Sequence, residues 1–218
     1  MGRARIAGLI AVAALTTGAA GASSAWALPE FSGPFSKTFT ATSAGSLLET
    51  KSGKKTKCTA DTATGEITGP QSGTIQITFT GCKFGSTPCN TPAAPSGTII
   101  TSLLQIRVGY ISALKKTVGA DLYEPVGNQI TSYVCAPAVL GVKVTGSVIG
   151  RLTPTNKAVV PAKVFKLKFQ QTGGVQEVPN LESAPVDILE SSFGPPPEPT
   201  GLKSTESLLF TEPVTLTA

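Results

Sequence analysis

From residue 74 to residue 80 the chain reads Thr74-Ile75-Gln76-Ile77-Thr78-Phe79-Thr80, with apolar and polar side chains alternating without a break. A period of two places Ile75, Ile77 and Phe79 on one face, which predicts a strand with one side on a core. Its β-branched neighbours favour the same extended backbone. Upstream, Gly69-Pro70-Gln71-Ser72-Gly73 is a run of turn residues, so 66–68 should return antiparallel as a hairpin partner. The stretch 98–111 is apolar on both parities, with Leu104, Ile106, Val108 and Tyr110 facing one way and Leu103 and Ile111 the other. That predicts a central strand, or two with a bulge. Further strands are predicted at 46–49, 56–60, 129–135, 141–149 and 163–170, the last alternating Phe165, Leu167 and Phe169 against Lys166 and Lys168. Phe31, Phe35 and Phe39 mark an arm or edge strand, and 91–97 is a Pro-rich connection. Beyond Thr172-Gly173-Gly174, residues 175–185 read as loop and 186–191 as a short strand or one helical turn. A Pro-rich connection follows at 194–201, and 207–211 and 214–217 are two closing strands. Long helical periodicity and fixed-period repeats are missing. About nine to eleven strands follow, hence an all-β, single-domain antiparallel sandwich or barrel.

The N-terminus changes the picture of where this chain works. Arg3 and Arg5 precede an alanine-rich apolar run, and Ala25-Trp26-Ala27 has the small residues that signal peptidase accepts. The run is shorter than the roughly 20 apolar residues a membrane span needs. Residues 1–27 are therefore expected to be a signal peptide and 28–218 the mature domain, secreted or otherwise extracytoplasmic, with no transmembrane segment after cleavage. Export gives meaning to Cys58, Cys82, Cys89 and Cys135, since an oxidising compartment favours pairing them. A zinc site is the rival reading, but the chain has no histidine and no C-x-x-C pair. Of the three possible pairings, Cys82 with Cys89 is favoured because the intervening loop is short, leaving Cys58 and Cys135 to join distant strands.

Composition agrees with a β domain: 23 Gly and 17 Pro punctuate the chain and only 14% of residues are charged. Charge is unevenly spread. Residues 28–168 hold 15 Lys and Arg against 6 Asp and Glu, net +9, whereas 169–218 hold one Lys against 7 acids, net −6. The expectation is that the acidic part packs across the basic body. Lys51, Lys54, Lys55 and Lys57 form the densest cluster and are a candidate anion-binding site; the plainer reading is a solvated turn that protects a sheet edge. No nucleic-acid partner is expected, because aromatics do not interleave with these lysines.

The absence of histidine excludes Ser-His-Asp, Cys-His and His-metal constellations. Ser112-Ala113-Leu114-Lys115 matches the S-x-x-K of penicillin-interacting enzymes, and Lys51-Ser52-Gly53 resembles their K-T-G, but the order is reversed and no S-D-N element occurs. A glycosidase needs only two carboxylates, for which Asp61, Glu66, Asp121, Glu124, Glu182, Asp187 and Glu190 are candidates. Aromatic platforms for sugar are scarce, with Trp26 in the leader and Tyr110, Tyr123 and Tyr133 remaining. No catalytic residue, cofactor or metal is expected.

LPEFSGPF after the cleavage site, the GEITGP turn, the TFTGC strand end and VTGSVIGRLTPTNK at 144–157 resemble a group of uncharacterised secreted bacterial all-β proteins. The resemblance implies an exported β fold and supplies no catalytic or binding residue. The leading expectation is a disulfide-stabilised, non-enzymatic β-protein acting as an envelope-associated structural or surface-interaction component, a cell-envelope polymer being the partner class. The alternative is a barrel holding a small apolar ligand, and a carboxylate-based glycan hydrolase is third.

Overall fold

The computed structural model describes residues 27–136, 140–155, 162–182 and 184–218. The expected signal peptide, 1–27, lies outside the described residues apart from Ala27. Among the described residues there are nineteen strands and no helix. In chain order they begin with β1 (Glu30–Ser32), β2 (Lys37–Ser43), β3 (Ser46–Thr50), β4 (Lys55–Cys58), β5 (Ala60–Ile67), β6 (Ser72–Thr80), β7 (Lys83–Phe84), β8 (Thr87–Asn90), β9 (Ile99–Ile100) and β10 (Leu104–Ser112). They continue with β11 (Thr117–Tyr123), β12 (Gln129–Cys135), β13 (Leu140–Thr145), β14 (Ser147–Thr153), β15 (Ala162–Phe169), β16 (Gln171–Thr172), β17 (Val175–Gln176), β18 (Glu190–Ser192) and β19 (Glu198–Thr217).

Eight of these strands close on themselves. β2, β5, β6, β10, β11, β14, β15 and the C-terminal part of β19 pair antiparallel in that order, and β19 pairs back with β2. A second, smaller ring closes the same way through β3, β4, β7, β8, β12, β13, β18 and the N-terminal part of β19. The chain passes between ring and barrel at one end only, between β2 and β3, β4 and β5, β6 and β7, β8 and β9, β11 and β12, β13 and β14, and β15 and β18. β19 alone runs unbroken through both. Closure leaves neither sheet with a long open edge, the usual hazard of an all-β chain.

The period-two pattern fills the barrel. Phe39 and Ala41 from β2, Ile75 and Ile77 from β6, Leu104, Ile106 and Val108 from β10, Phe165, Leu167 and Phe169 from β15, and Leu208 and Phe210 from β19 all point inward and are buried. β1 adds Phe31, whose ring packs 6.0 Å from Phe165 and 6.1 Å from Phe210, with Phe39 5.2 Å from Phe210. Each such buried ring contributes about 1.5–3 kcal/mol. Gly65, opposite Phe39 in register, makes room for it: a Cβ there would lie 2.3 Å from the Phe39 ring. Among the described residues, a cavity of about 20 Å³ lies between these side chains.

Several expectations change. The alternation predicts nine to eleven strands; of those it does not show, β7, β8, β9, β16 and β17 have two to four residues, too short for a period to register, while β11 (Thr117–Tyr123) is buried along both faces and so has no alternation to read. Residues 141–149 form β13 and β14, one in each ring, divided at Gly146, where φ is +91° and a Cβ would meet the Ile188 carbonyl oxygen at 2.0 Å. The stretch 98–111 is two strands, β9 and β10. The Pro-rich connection expected over 194–201 ends earlier, because β19 begins at Glu198, and the two expected closing strands are one. Pro213 is tolerated within β19 because β15 pairs with Leu209 and then Val214, so that the proline sits in a bulge where no ladder bond is asked of it.

The cysteines are all bonded, but as Cys58–Cys82 and Cys89–Cys135 rather than with Cys82 joined to Cys89. The Cys89 N–H donates to the Cys82 carbonyl at 2.9 Å, so these two are neighbours through the backbone at the base of the β7–β8 hairpin. Their side chains turn to other partners: Cys89 lies directly opposite Cys135 across β8 and β12, and Cys58 adjoins the end of β6, where the Thr59 N–H donates to Thr80. Both bridges fit an oxidising, extracytoplasmic environment.

Candidate functional site

The seam between ring and barrel concentrates what chemistry there is. An apolar cavity of about 70 Å³ lies there, walled by Leu48 and Leu202 of the ring, Ile77, Leu104 and Leu122 of the barrel, and Tyr133. The Tyr133 and Thr56 hydroxyls are hydrogen-bonded to each other at 2.9 Å across the ring. Burial pushes the Tyr133 phenol above its ordinary range, with the Thr56 hydrogen bond opposing it more weakly. No charged side chain lines this space.

Beside it the barrel encloses two carboxyl groups. Asp61 at the start of β5 and Glu206 in β19 are 1% and 2% exposed. The Ser43 hydroxyl donates to Asp61 Oδ2, and the Ser204 hydroxyl donates to Glu206 Oε1 at 2.5 Å. Asp61 Oδ1 and Glu206 Oε2 are buried without a hydrogen-bond partner, and the register, Asp61 opposite Ser43 and Ser207 opposite Thr42, brings the two carboxyls to either side of the end of β2. Two buried carboxyls side by side with no cation between them disfavour ionisation of both. Burial and then the Asp61 carboxyl raise the Glu206 pKa to about 8. Glu206 therefore holds its proton at neutral pH.

A third buried acid faces outward. Asp121 on β11 is 2% exposed and accepts from Arg107 Nη2 at 2.7 Å, across the β10–β11 ladder. Burial raises its pKa, the Arg107 hydrogen bond opposing. The segment after β17 covers it: the Glu182 N–H donates to Tyr110, the Asp187 carbonyl accepts from Ser147, and Leu181 packs on Gly109. The Arg107 guanidinium also stacks 5.0 Å from the Tyr123 ring.

Of the carboxylates proposed from sequence, Asp121 feels the charge of Asp187 in the covering segment, and Asp61 lies beside Glu206, which was not among them. The signal was available. Ser204, Glu206, Leu208 and Phe210 share one parity of β19, so the phase that buries Leu208 and Phe210 carries Glu206 inward too. Glu66 is half-buried on β5, Glu124 accepts from the Val126 N–H, and Glu182, Asp187 and Glu190 lie in or after the covering segment. The Ser112 oxygen accepts the Lys115 backbone N–H within the turn after β10, at the barrel end remote from the ring. Lys51-Ser52-Gly53 is the β3–β4 turn of the ring, so S-x-x-K and its supposed partner are separated.

The four lysines surround that same turn. Lys51, Lys55 and Lys57 are exposed. Lys54 pairs with Glu198 at 3.3 Å and lies 5.7 Å from the Phe193 ring, and Lys55 pairs with Glu49 at 3.1 Å. Ser52 donates through backbone and side chain to Glu198, whose pKa is lowered by those bonds and then by Lys54. Glu212 pairs with Lys37. Two acids of the C-terminal part thus do meet the basic body.

No group of acids, cysteines and histidines able to hold a metal occurs among the described residues, and no helix there is long and apolar enough to cross a membrane. No family model, curated protein or solved structure matches the chain.

Proposed function

We propose that this is a secreted, non-enzymatic β-protein that works through its outer surface, as a structural or interaction component of the cell envelope. The observation that carries the reading is the filled interior. Ligand pockets run to about 300–1,000 Å³, against about 70 Å³ at the seam and about 20 Å³ in the barrel. The acid pair Asp61 and Glu206 is enclosed on all sides, whereas an acid–base pair must touch its substrate. What remains available is the exterior, held rigid by two disulfides and carrying the lysines of the β3–β4 turn.

The test is co-sedimentation of the mature protein with isolated cell-envelope material, together with native mass spectrometry of protein purified from its own host. The expected result is retention by the envelope fraction and a mass equal to the bare chain less four hydrogens. Failure to sediment at low and physiological salt would overturn the reading. Replacing Lys51, Lys54, Lys55 and Lys57 by Gln tests the turn itself: if it carries the contact, retention by an anionic polymer such as teichoic acid or heparin is lost together with its salt dependence.

The apolar cavity favours a second reading, a barrel with a small apolar guest. Its size restricts the guest, since a cavity of about 150 Å³ is the scale that accepts benzene. A co-purifying molecule in the native mass spectrum would favour it.

A further inference from the structure

The Asp61–Glu206 pair is placed where the two rings meet. Asp61 is the third residue after Cys58, and Ser204 and Glu206 follow directly on the part of β19 that belongs to the ring. On the outside of the same seam an open groove of about 500 Å³ is lined by Ala44, Gly45, Lys57, Lys203 and Ser204, and also by Ser46 and Cys58, which line the inner cavity as well. Ser46 and Cys58 are therefore the wall between solvent and the apolar space, and the pair stands behind it.

We propose that the Asp61–Glu206 pair is a proton-dependent latch. With one shared proton it ties β5 to β19 across the end of β2, and loss of that proton opens the seam between ring and barrel. The reason is local charge. Among the described residues, the groups that hydrogen-bond to the pair or lie opposite it in register are the Ser43 hydroxyl from β2, the Ser204 hydroxyl from β19, Phe79 opposite Asp61 on β6, and Leu167 opposite Glu206 on β15. None of these is a cation. The nearest lysines of the seam, Lys57 and Lys203, lie on the groove side. A second negative charge would have two hydroxyls for compensation and no counter-ion, so it must either be solvated or separated from the first. Solvation is reached through Ser204, which already borders the groove. The direction agrees with the Glu206 pKa near 8: the folded form holds a proton that the unfolded chain has released, so the tie is intact below that pH and is lost as pH rises through it.

Amide hydrogen exchange across pH 6 to 9.5, corrected for intrinsic rates, reads this out. The expected result for the wild type is a fall of at least about tenfold in protection for amides of 43–46, 61–63 and 204–207, with those of 118–122 on the far wall unchanged, since one pKa unit is a factor of ten. Glu206→Gln, which cannot lose a proton, should hold its protection flat over the same range. Should that variant fail to fold, carbon-13 titration of the Glu206 carboxyl in the wild type decides alone. A midpoint well above the ordinary 4.5 supports the latch, and one near it overturns it. Uniform loss of protection over the barrel, or the same local loss in Glu206→Gln, would also overturn it.

Discussion

Replacing Cys89 and Cys135 together by alanine removes the staple between β8 and β12, and the size of the effect follows from the connectivity. The bridge spans 46 residues, which in the loop-closure treatment stabilises by about 4 kcal/mol. Cys58–Cys82 spans 24 residues and contributes about 3.4 kcal/mol on the same treatment. The two loops do not overlap along the chain, so their contributions are independent and sum to roughly 7 kcal/mol, within a total stability of roughly 5–15 kcal/mol. The ring depends on them more than the barrel does. β7 has two residues and β8 four, so few ladder bonds hold that side closed, whereas the barrel strands β5, β6, β10 and β15 have eight or nine each. The double variant should therefore lose its ring first, a local opening rather than all-or-none unfolding. Urea titration followed by near-ultraviolet tyrosine signal for Tyr133 and far-ultraviolet signal for the barrel is the assay. With a slope of about 2 kcal/mol/M, the Tyr133 midpoint should fall by about 2 M and the far-ultraviolet midpoint by less. The variant should also contain no free thiol, because Cys58 and Cys82 keep each other. Coincident transitions at the wild-type midpoint, or two free thiols, would refute the argument.

Tyr133→Phe strands the buried Thr56 hydroxyl and should cost about 1–3 kcal/mol, while Tyr133→Phe with Thr56→Val should recover most of it, read as denaturant midpoints. Gly146→Ala combines a left-handed backbone with a contact onto the Ile188 carbonyl and should cost about 2–4 kcal/mol in the same measurement. Arg107→Ala leaves Asp121 buried without its cation and should cost about 3 kcal/mol at pH 7. Its pH dependence has a definite sign: burial raises the Asp121 pKa in the fold, so the native state holds the proton longer than the unfolded chain and stability falls as pH rises above the ordinary 3.8. Removing Arg107 takes away the largest opposing influence, so thermal melting of the variant should decline more steeply between pH 4 and 7 than that of the wild type.

What was legible in the sequence was whatever repeats with a period of two for six or more residues. Ile75, Ile77 and Phe79, the run from Leu104 to Tyr110, and Phe165, Leu167 and Phe169 all face the core as the alternation predicts. Strands of the ring were legible at 46–49, 56–60 and 129–135, but its closure was not, because Lys83–Phe84 and Thr87–Asn90 are too short to show any period and form strands only through the partners that flank them. The disulfides turned on register, which loop length does not reveal: Cys89 meets Cys135 because β8 and β12 align them. Glu206 was hidden by its company. Within a tail holding 7 acids it reads as one more surface charge, although its parity with Leu208 and Phe210 places it inside.

β19 belongs to both rings and follows every other strand in the chain. For a polypeptide emerging in order from a ribosome or a translocation pore, this fixes when folding can finish. The hairpins β5–β6 and β10–β11 are local and can pair early, but the gap between β15 and β2 in the barrel, and that between β18 and β3 in the ring, stay open until residues 198–217 appear. Both closures join segments more than 140 residues apart on the β2 and β3 side, the kind of long-range pairing that forms slowly. Neither ring can therefore close until most of the chain has been made, and both lock in a single late event.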